Sequence, residues 1–223
     1  MPNRVFLWDI DGTVVSPSLE SQFISFIRTE KLVSRVRLAG RFLSVYLTRS
    51  RMPWYRLKLA YLKGETVSDV EQWIDRWWPT VTNTILPGAR SAIEQVANTD
   101  TTQLFLSGTV QSLGERLAAS FGIATVLGAT PETDDDRFTG ALSEPHPHGA
   151  YKVTYADRWL RQRGLKWAEV VALADHESDR FLLERAAVPV AVNPNSKLEA
   201  LARQRGWRVV RDADLPGVVG DLV

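Results

Sequence analysis

The stretch that decides the fold is Val5-Phe6-Leu7-Trp8-Asp9-Ile10-Asp11-Gly12-Thr13. It is a short, continuously apolar run that ends in two carboxylates on either side of an isoleucine, followed by a glycine and a hydroxyl. Such a run is typical of a strand buried on both faces of a parallel sheet. Open α/β sheets bind their ligands just beyond the carboxyl ends of the strands. Two acidic side chains at that position repel each other unless a cation joins them, so the stretch predicts a metal site.

Three later segments support this interpretation, although Asp-x-Asp-Gly-Thr alone could be a strand followed by an ordinary turn. The run from Leu104 to Thr109 is another apolar strand that ends in hydroxyl side chains. Lys152 follows a loop and opens a helix. The run from Val170 to Asp179 is a third strand, and it ends in an acidic pair, Asp175 and Asp179, four residues apart.

The composition is that of an ordinary globular protein. The chain has 223 residues, of which 44% are hydrophobic and 24% charged, enough for one substantial core plus a smaller module. Since there is no cysteine, disulfides, thiolate metal sites and thiol nucleophiles are excluded. The amino terminus lacks the layout of a signal peptide, and no apolar run approaches the roughly 18 residues of a membrane helix. These features predict a cytoplasmic protein without a transmembrane segment.

The net charge of +1 gives no general attraction to polyanions, so nucleic-acid binding is not expected. The charge is uneven, however, because the stretch from Arg28 to Lys63 is rich in Arg and Lys and contains a single acid, Glu30. Four of its basic side chains could attract an anionic substrate or an anionic membrane surface, or could simply form a solvated helical face. The solvated face is favoured for most of them. The four are Arg49, Arg51, Arg56 and Lys58.

Helical spacing fills the segment from 16 to 86, which lies between two strand signals. Apolar residues at three- and four-residue spacing form one helical face there, namely Leu32, Val36, Ala39, Leu43, Tyr46 and Leu47. A further helix is predicted from Ser68, whose hydroxyl could cap it, and Pro87-Gly88 would mark the return to the sheet. Strands then alternate with helices, which implies a parallel sheet with right-handed crossovers. A hairpin is predicted to turn at Asp134-Asp135-Asp136.

In this order the segments resemble the haloacid dehalogenase (HAD) superfamily, and specifically its phosphoserine-phosphatase-like branch, subfamily IB. The resemblance covers nearly the whole chain and extends to Arg137-Phe138-Thr139-Gly140 and Pro189-Val190-Ala191-Val192-Asn193-Pro194. It implies an α/β fold in which residues 1–15 and 87–223 form a Rossmann-like three-layer core around a parallel sheet. Residues 16–86 would form an inserted α-helical cap, a C1-type insertion. The implied activity is that of a phosphatase acting on a small phosphorylated metabolite.

The resemblance also implies roles for four catalytic residues. Asp9 would be the nucleophile and form an aspartyl phosphate. Asp11 would protonate the leaving group and then activate water, which requires a raised pKa. Ser107 would hold phosphoryl oxygens through its hydroxyl and the neighbouring backbone N–H groups. Lys152 would neutralise the negative charge of Asp9 and the phosphate.

The cofactor that the resemblance implies is Mg²⁺, bound by oxygen ligands. The expected ligands are the side chains of Asp9 and Asp175 and the backbone carbonyl of Asp11, with Asp179 acting through water or as support. The predicted substrate contacts are Gly108, Thr109 and Arg56.

Two local features and two other functions stay open. Relatives commonly have Gly-Asp-Ser or Gly-Asp-Gly where this chain has Ala174-Asp175-His176-Glu177, which adds bulk beside the predicted metal. His146 and His148 could belong to a zinc site, but a polar loop before the catalytic lysine is favoured. The alternative functions are a phosphotransferase of the same chemistry and a non-catalytic protein that binds an anion, nucleic acid or lipid on the same scaffold. The sequence leaves the oligomeric state open.

Overall fold

The first strand of the protein lies at the centre of its sheet. A computed structural model describes residues 4–48 and 59–223. In it, strand β1 (Val5–Trp8) is completely buried, and its side chains alternate between two cores. Phe6 and Trp8 belong to the core on one face of the sheet, and Val5 and Leu7 to the core on the other. A continuous apolar run is therefore required, because both faces are covered.

The elements that the structure describes between this strand and the next are helical. They are α1 (Leu19–Thr29), α2 (Arg35–Thr48), α3 (Val67–Trp77), a 3-10 helix (Trp78–Thr84) and α4 (Pro87–Ala97). The following elements are β2 (Thr102–Val110), α5 (Gln111–Ala119), β3 (Val126–Ala129), β4 (Pro131–Asp134), β5 (Arg137–Leu142) and α6 (Ala150–Gln162).

The last third alternates regularly between strand and helix. Its elements are β6 (Val170–Ala174), α7 (Arg180–Arg185), β7 (Val188–Val192), α8 (Ser196–Arg205), β8 (Arg208–Val210) and α9 (Leu215–Gly220). Short 3-10 helices at Trp167–Glu169, Glu177–Asp179 and Asp212–Asp214 connect some of them.

Six of these strands form one parallel sheet in the order β3-β2-β1-β6-β7-β8. Helices cover both faces, which gives three layers. The predicted α/β fold, with its parallel sheet and inserted helical segment, is confirmed. The order of the strands puts the carboxyl ends of β1, β2 and β6 side by side.

The ends of the helical segment lie next to each other. The Ser16 backbone N–H donates to the Thr84 carbonyl (3.0 Å), and the Leu86 N–H donates to the Val14 carbonyl (2.9 Å). The chain thus leaves the sheet after β1 and comes back beside its own exit. This pairing is what an insertion requires, while the exact boundaries of 15/16 and 86/87 remain predictions.

Two local predictions have different outcomes. The hairpin is confirmed: β4 and β5 pair antiparallel, and Asp135 and Asp136 have the positive φ angles (43° and 62°) of a tight turn. The cap of α3 was wrongly assigned to Ser68. The helix begins one residue earlier, and the Thr66 hydroxyl accepts a hydrogen bond from the Asp69 N–H (3.0 Å).

Candidate active site

The site lies at the carboxyl end of the sheet, where β1 pairs with both β2 and β6. Trp8 is in register with Phe105 on one side and Leu173 on the other, so the residues that follow these strands meet at one edge. Asp9 extends the pairing, because its N–H donates to the Leu173 carbonyl (2.9 Å). A cavity of about 220 Å³ opens here, and Asp9 and Asp175 both line it. The predicted convergence of separate strand ends is therefore present.

Lys152 links two of the carboxylates. Helix α6 begins after Gly149, and Lys152 in its first turn is only 3% exposed. Its ammonium group donates to Asp9 Oδ1 (2.6 Å) and to Asp179 Oδ2 (2.9 Å), and both partners are buried. Such a pairing keeps the Asp9 carboxylate in one orientation.

The acidic groups are too crowded to be ionised without help. Burial raises the pKa of Asp9, an effect that Lys152 opposes and Asp179 reinforces. Burial, followed by the charges of Asp9 and Asp179, raises the pKa of Asp175 to about 8. Burial alone would lower the pKa of Lys152, but the Asp179 and Asp9 charges outweigh it, and the pKa ends above its ordinary value. Lys152 alone therefore does not offset the charge of all three carboxylates, which a proton or a further cation would balance.

Three carboxylates are arranged to supply oxygen ligands to a cation. Asp9, Asp175 and Asp179 each offer one oxygen, and these oxygens lie within 4.8 Å of one another. The buried Asp179 Oδ1 has no hydrogen-bond partner within the described residues. If all three are ionised, they carry three negative charges against one from Lys152, so a divalent cation would bring the sum to zero. An all-oxygen set of this kind suits a hard cation.

Gly12 keeps the space beside Asp175 open. Its φ angle is +83°, a left-handed conformation that glycine adopts at little cost. A Cβ built on it would lie 2.1 Å from Asp175 Oδ2. The glycine of the opening motif is thus required both by its backbone and by the close approach of the acidic group.

Asp11, three residues after the end of β1, is held by groups from β2 and α1. Its Oδ2 accepts a hydrogen bond from the Thr109 hydroxyl (2.7 Å), and its Oδ1 accepts one from the Leu19 N–H (2.9 Å) at the start of α1. Sequence reasoning placed Thr109 at the substrate, but its side chain is buried against Asp11. A Thr109 side chain that donates to Asp11 can also lie beside a substrate, so the substrate contact of Thr109 remains a prediction. The raised pKa of Asp11 remains a prediction as well.

Ser107 and Gly108 form the wall of the cavity next to Asp9. The Ser107 Oγ accepts a hydrogen bond from the Thr109 N–H (3.3 Å), within the part of β2 where the register with β3 shifts between Leu106 and Val110. The buried His146 ring covers Gly108 so closely that a Cβ there would lie 2.5 Å from its Cε1. Gly108 is therefore needed because of a neighbour that the sequence does not reveal.

All three histidines of the chain line this cavity: His146, His148 and His176. Sequence reasoning treated them separately, and no local spacing connects residue 176 with the other two. His146 and His148 lie with their ring centroids 6.0 Å apart. The ring of His176 accepts a hydrogen bond from the Ser178 N–H (3.2 Å) and so caps the 3-10 helix that carries Asp179.

Of the two unusual residues after Asp175, His176 lines the cavity and Glu177 does not. The Glu177 carboxylate accepts a hydrogen bond from the Asn195 side-chain amide and lies 3.4 Å from the Lys197 ammonium group. The Asn195 N–H in turn donates to the Asp175 carbonyl (2.9 Å), which fixes the loop. The remaining predicted site residue, Arg56, lies outside the described residues.

The fold and the site define a class of α/β protein that has an aspartate directly after the first strand, at the carboxyl edge of a parallel sheet. The haloacid dehalogenase-like hydrolase family model matches residues 6–184, and the chain belongs to this family. The resemblance stated from the sequence is thereby confirmed.

Among proteins of known name, the phosphoserine phosphatase SerB1 of Mycobacterium tuberculosis is 27% identical over 176 residues, which are 75% of this chain and 56% of that protein. A histidinol-phosphatase of Neisseria meningitidis is 32% identical over 120 residues, or 52% of this chain and 53% of that one. This chain therefore matches about half the length of these relatives.

Solved structures share the fold. A protein of unknown function from Bordetella pertussis superposes with a TM-score of 0.82 at 21% identity, covering 94% of this chain and 99% of that one. A substrate-bound phosphoserine phosphatase superposes with a TM-score of 0.66 at 15% identity, covering 95% and 94%. No helix in the described residues is long and apolar enough to cross a membrane.

Proposed function

We propose that this protein is a Mg²⁺-dependent phosphomonoesterase that hydrolyses a small phosphorylated metabolite through an aspartyl phosphate on Asp9. The observation that carries the proposal is the buried contact of the Lys152 ammonium group with both Asp9 and Asp179, beside Asp175. The family membership and the phosphatase names of two relatives support it.

Hydrolysis proceeds in two displacements in this scheme. A carboxylate oxygen of Asp9 attacks phosphorus, the bond from phosphorus to the leaving oxygen breaks, and Asp11 gives that oxygen a proton. Water then attacks the phosphorus of the aspartyl phosphate, Asp11 takes the proton from the water, and the bond to Asp9 breaks to release phosphate. The Thr109 and Leu19 hydrogen bonds keep the Asp11 carboxyl group in place through both steps.

The other residues bind and neutralise the phosphoryl group. The Lys152 ammonium group would balance the charge of the nucleophile, and the Ser107 hydroxyl would hold a phosphoryl oxygen. Asp9, Asp175 and the backbone carbonyl of Asp11 would hold Mg²⁺, with Asp179 as support. When bound, the ion supplies charge neutralisation for the phosphoryl oxygens.

The decisive experiment measures p-nitrophenyl phosphate hydrolysis by the wild type and by Asp9→Asn, with Mg²⁺ and with EDTA. The variant is expected to keep its fold and lose about a thousandfold or more in turnover. Asp100→Asn is the matched control. It changes an exposed acid between α4 and β2 and should retain full activity. Full turnover by Asp9→Asn would refute the proposal.

A phosphotransferase uses the same first displacement, so it must be separated by product analysis. Added small alcohols would intercept the aspartyl phosphate in a transferase, and nitrophenol release would then exceed free phosphate. Equal amounts of nitrophenol and phosphate are expected. Acid-quenched wild-type enzyme should carry one phosphoryl group, detectable by mass spectrometry, and Asp9→Asn should carry none.

A further inference from the structure

Helix α2 has an apolar face that no described part of the protein covers. Val36, Ala39, Gly40 and Leu43 are all exposed, Val36 to 84% and Leu43 to 57%. Their spacing of three, four and seven residues places them on the same side of the helix. A Cβ added to Gly40 would meet nothing within 4 Å. These four residues, here called the α2 face, form an open apolar strip.

The opposite side of α2 is anchored, so the α2 face points outward for a structural reason. Leu38 is buried in the core. The Arg41 guanidinium group donates to the Tyr61 carbonyl (3.1 Å) and forms a salt bridge with Glu65, and both side chains of that bridge are largely buried. A helix fixed in this manner cannot turn its apolar strip inward without breaking a buried ion pair.

The stretch of sequence that contains the α2 face is strongly cationic. Residues 31–64 include nine Lys or Arg and no Asp or Glu, whereas the whole chain has a net charge of +1. Arg37 is exposed next to Val36 in the sequence. Apolar side chains on one face of a helix in a basic segment are the features that hold a helix in the interface of an anionic membrane.

We propose that the α2 face docks onto a membrane that contains anionic phospholipid. Val36 and Leu43 would enter the boundary between head groups and acyl chains, while exposed basic side chains of this segment such as Arg37 would contact lipid phosphates. With 14 residues, α2 is too short to span a bilayer and would lie along its surface.

Other partners fit these observations less well. A second copy of this chain would bring two strongly basic segments together, which costs free energy. A nucleic acid would use the charge but would leave two large aliphatic side chains in water. Membrane docking uses both the positive charge and the exposed aliphatic side chains of the segment. It does not depend on which phosphate ester the active site hydrolyses.

The test measures sedimentation of the full chain with vesicles of phosphatidylcholine alone and of phosphatidylcholine with one third phosphatidylglycerol. Binding is expected to the anionic vesicles, and it should weaken strongly between about 0.05 and 0.5 M salt because surface charges are screened. The double variant Val36→Ser, Leu43→Ser should bind about tenfold or more weakly, since each aliphatic side chain that leaves water favours binding.

Phe181→Ser is the matched control. Phe181 is 36% exposed, and the Arg180 guanidinium group lies 4.5 Å from its ring centroid, so it is also an exposed apolar group beside a cation, but on α7. Its substitution should leave vesicle binding unchanged. Circular dichroism and the melting temperature should show that both variants fold, because every substituted side chain is exposed.

Several results would overturn the proposal. Equal binding to neutral and anionic vesicles would do so, as would anionic binding that the double variant retains. Self-association in the ultracentrifuge that the double variant abolishes, without vesicle binding, would assign the α2 face to a dimer. Salt-sensitive binding to duplex DNA without vesicle binding would assign the basic segment to nucleic acid.

Discussion

Replacing Lys152 by methionine should destabilise the metal-free protein strongly. The substitution keeps most of the aliphatic stem but removes the ammonium group that contacts Asp9 at 2.6 Å and Asp179 at 2.9 Å. All three side chains are almost fully buried, so water cannot replace the lost charge. Breaking a buried ion pair from one side typically costs about 3–5 kcal/mol of unfolding free energy.

The matched control is Lys197→Met. The Lys197 ammonium group lies 3.4 Å from Glu177, but its side chain is 77% exposed. An exposed pair of this kind contributes about 0–1 kcal/mol. The two variants therefore remove the same charge, in one case from a buried cluster and in the other from the surface.

Urea unfolding at pH 8 in EDTA measures the difference. With an m-value near the upper end of about 1–3 kcal/mol/M, the midpoint for Lys152→Met should fall by about 1–2 M. The loss should be smaller at pH 6, because protons taken up by the carboxylates then replace the missing cation. If Lys152→Met lowers the free energy of unfolding no more than Lys197→Met at pH 8, then Lys152 does not balance the charges of Asp9 and Asp179.

Three further perturbations test the metal position and the acid. The Asp175 pKa is raised from 3.8 to about 8, so between these values the folded metal-free protein holds a proton that the unfolded chain lacks, and its melting temperature should fall as pH rises toward 8. Under the proposed function Mg²⁺ would compete with that proton, and its stabilising effect in calorimetry should therefore grow from pH 6 to pH 8. Gly12→Ala should weaken Mg²⁺ binding, measured by titration calorimetry, about tenfold or more, because the new Cβ displaces the Asp175 carboxylate. Thr109→Val should lower turnover and cost about 1–3 kcal/mol of stability, because it leaves an Asp11 oxygen without its donor.

These predictions have their own controls. Gly164→Ala also places alanine at a positive φ (+67°), but its Cβ would meet nothing within 4 Å, so it should cost stability without changing Mg²⁺ affinity. Thr109→Ser keeps the hydroxyl and should restore most of the turnover. A melting temperature that rises with pH in EDTA would contradict the assignment of Asp175 as a group held protonated by its neighbours.

The strand ends were predictable from the sequence because their signal is local. A continuous apolar run followed by Asp9, and another followed by Asp175, specify buried strands and acidic ends without any knowledge of the partners. Lys152 had no such local signal and was recognised through the order of the family motifs. Its contacts with Asp9 and Asp179 depend on how α6 packs against the end of the sheet.

Contacts between elements that are distant in sequence could not be predicted from local sequence patterns. The hydrogen bond from Thr109 in β2 to Asp11, just after β1, joins residues 98 positions apart, and it depends on the register between β1 and β2. The cover that His146 provides for Gly108 likewise comes from a loop that closes back onto the sheet. The spacing of Val36 and Leu43 indicated that they share a face, but no periodicity tells whether such a face meets protein or solvent.

Backbone hydrogen bonds join Ser16 to Thr84 and Val14 to Leu86, so the inserted helical segment leaves the sheet and returns to it at one place. Because entry and exit are adjacent, the chain beyond the start of α1, where the Leu19 N–H holds Asp11, can lengthen, shorten or exchange its helices while Asp9, Asp175 and Asp179 keep their positions. Substitutions in the rest of that segment would therefore alter its exposed helices without moving the acidic side chains at the strand ends.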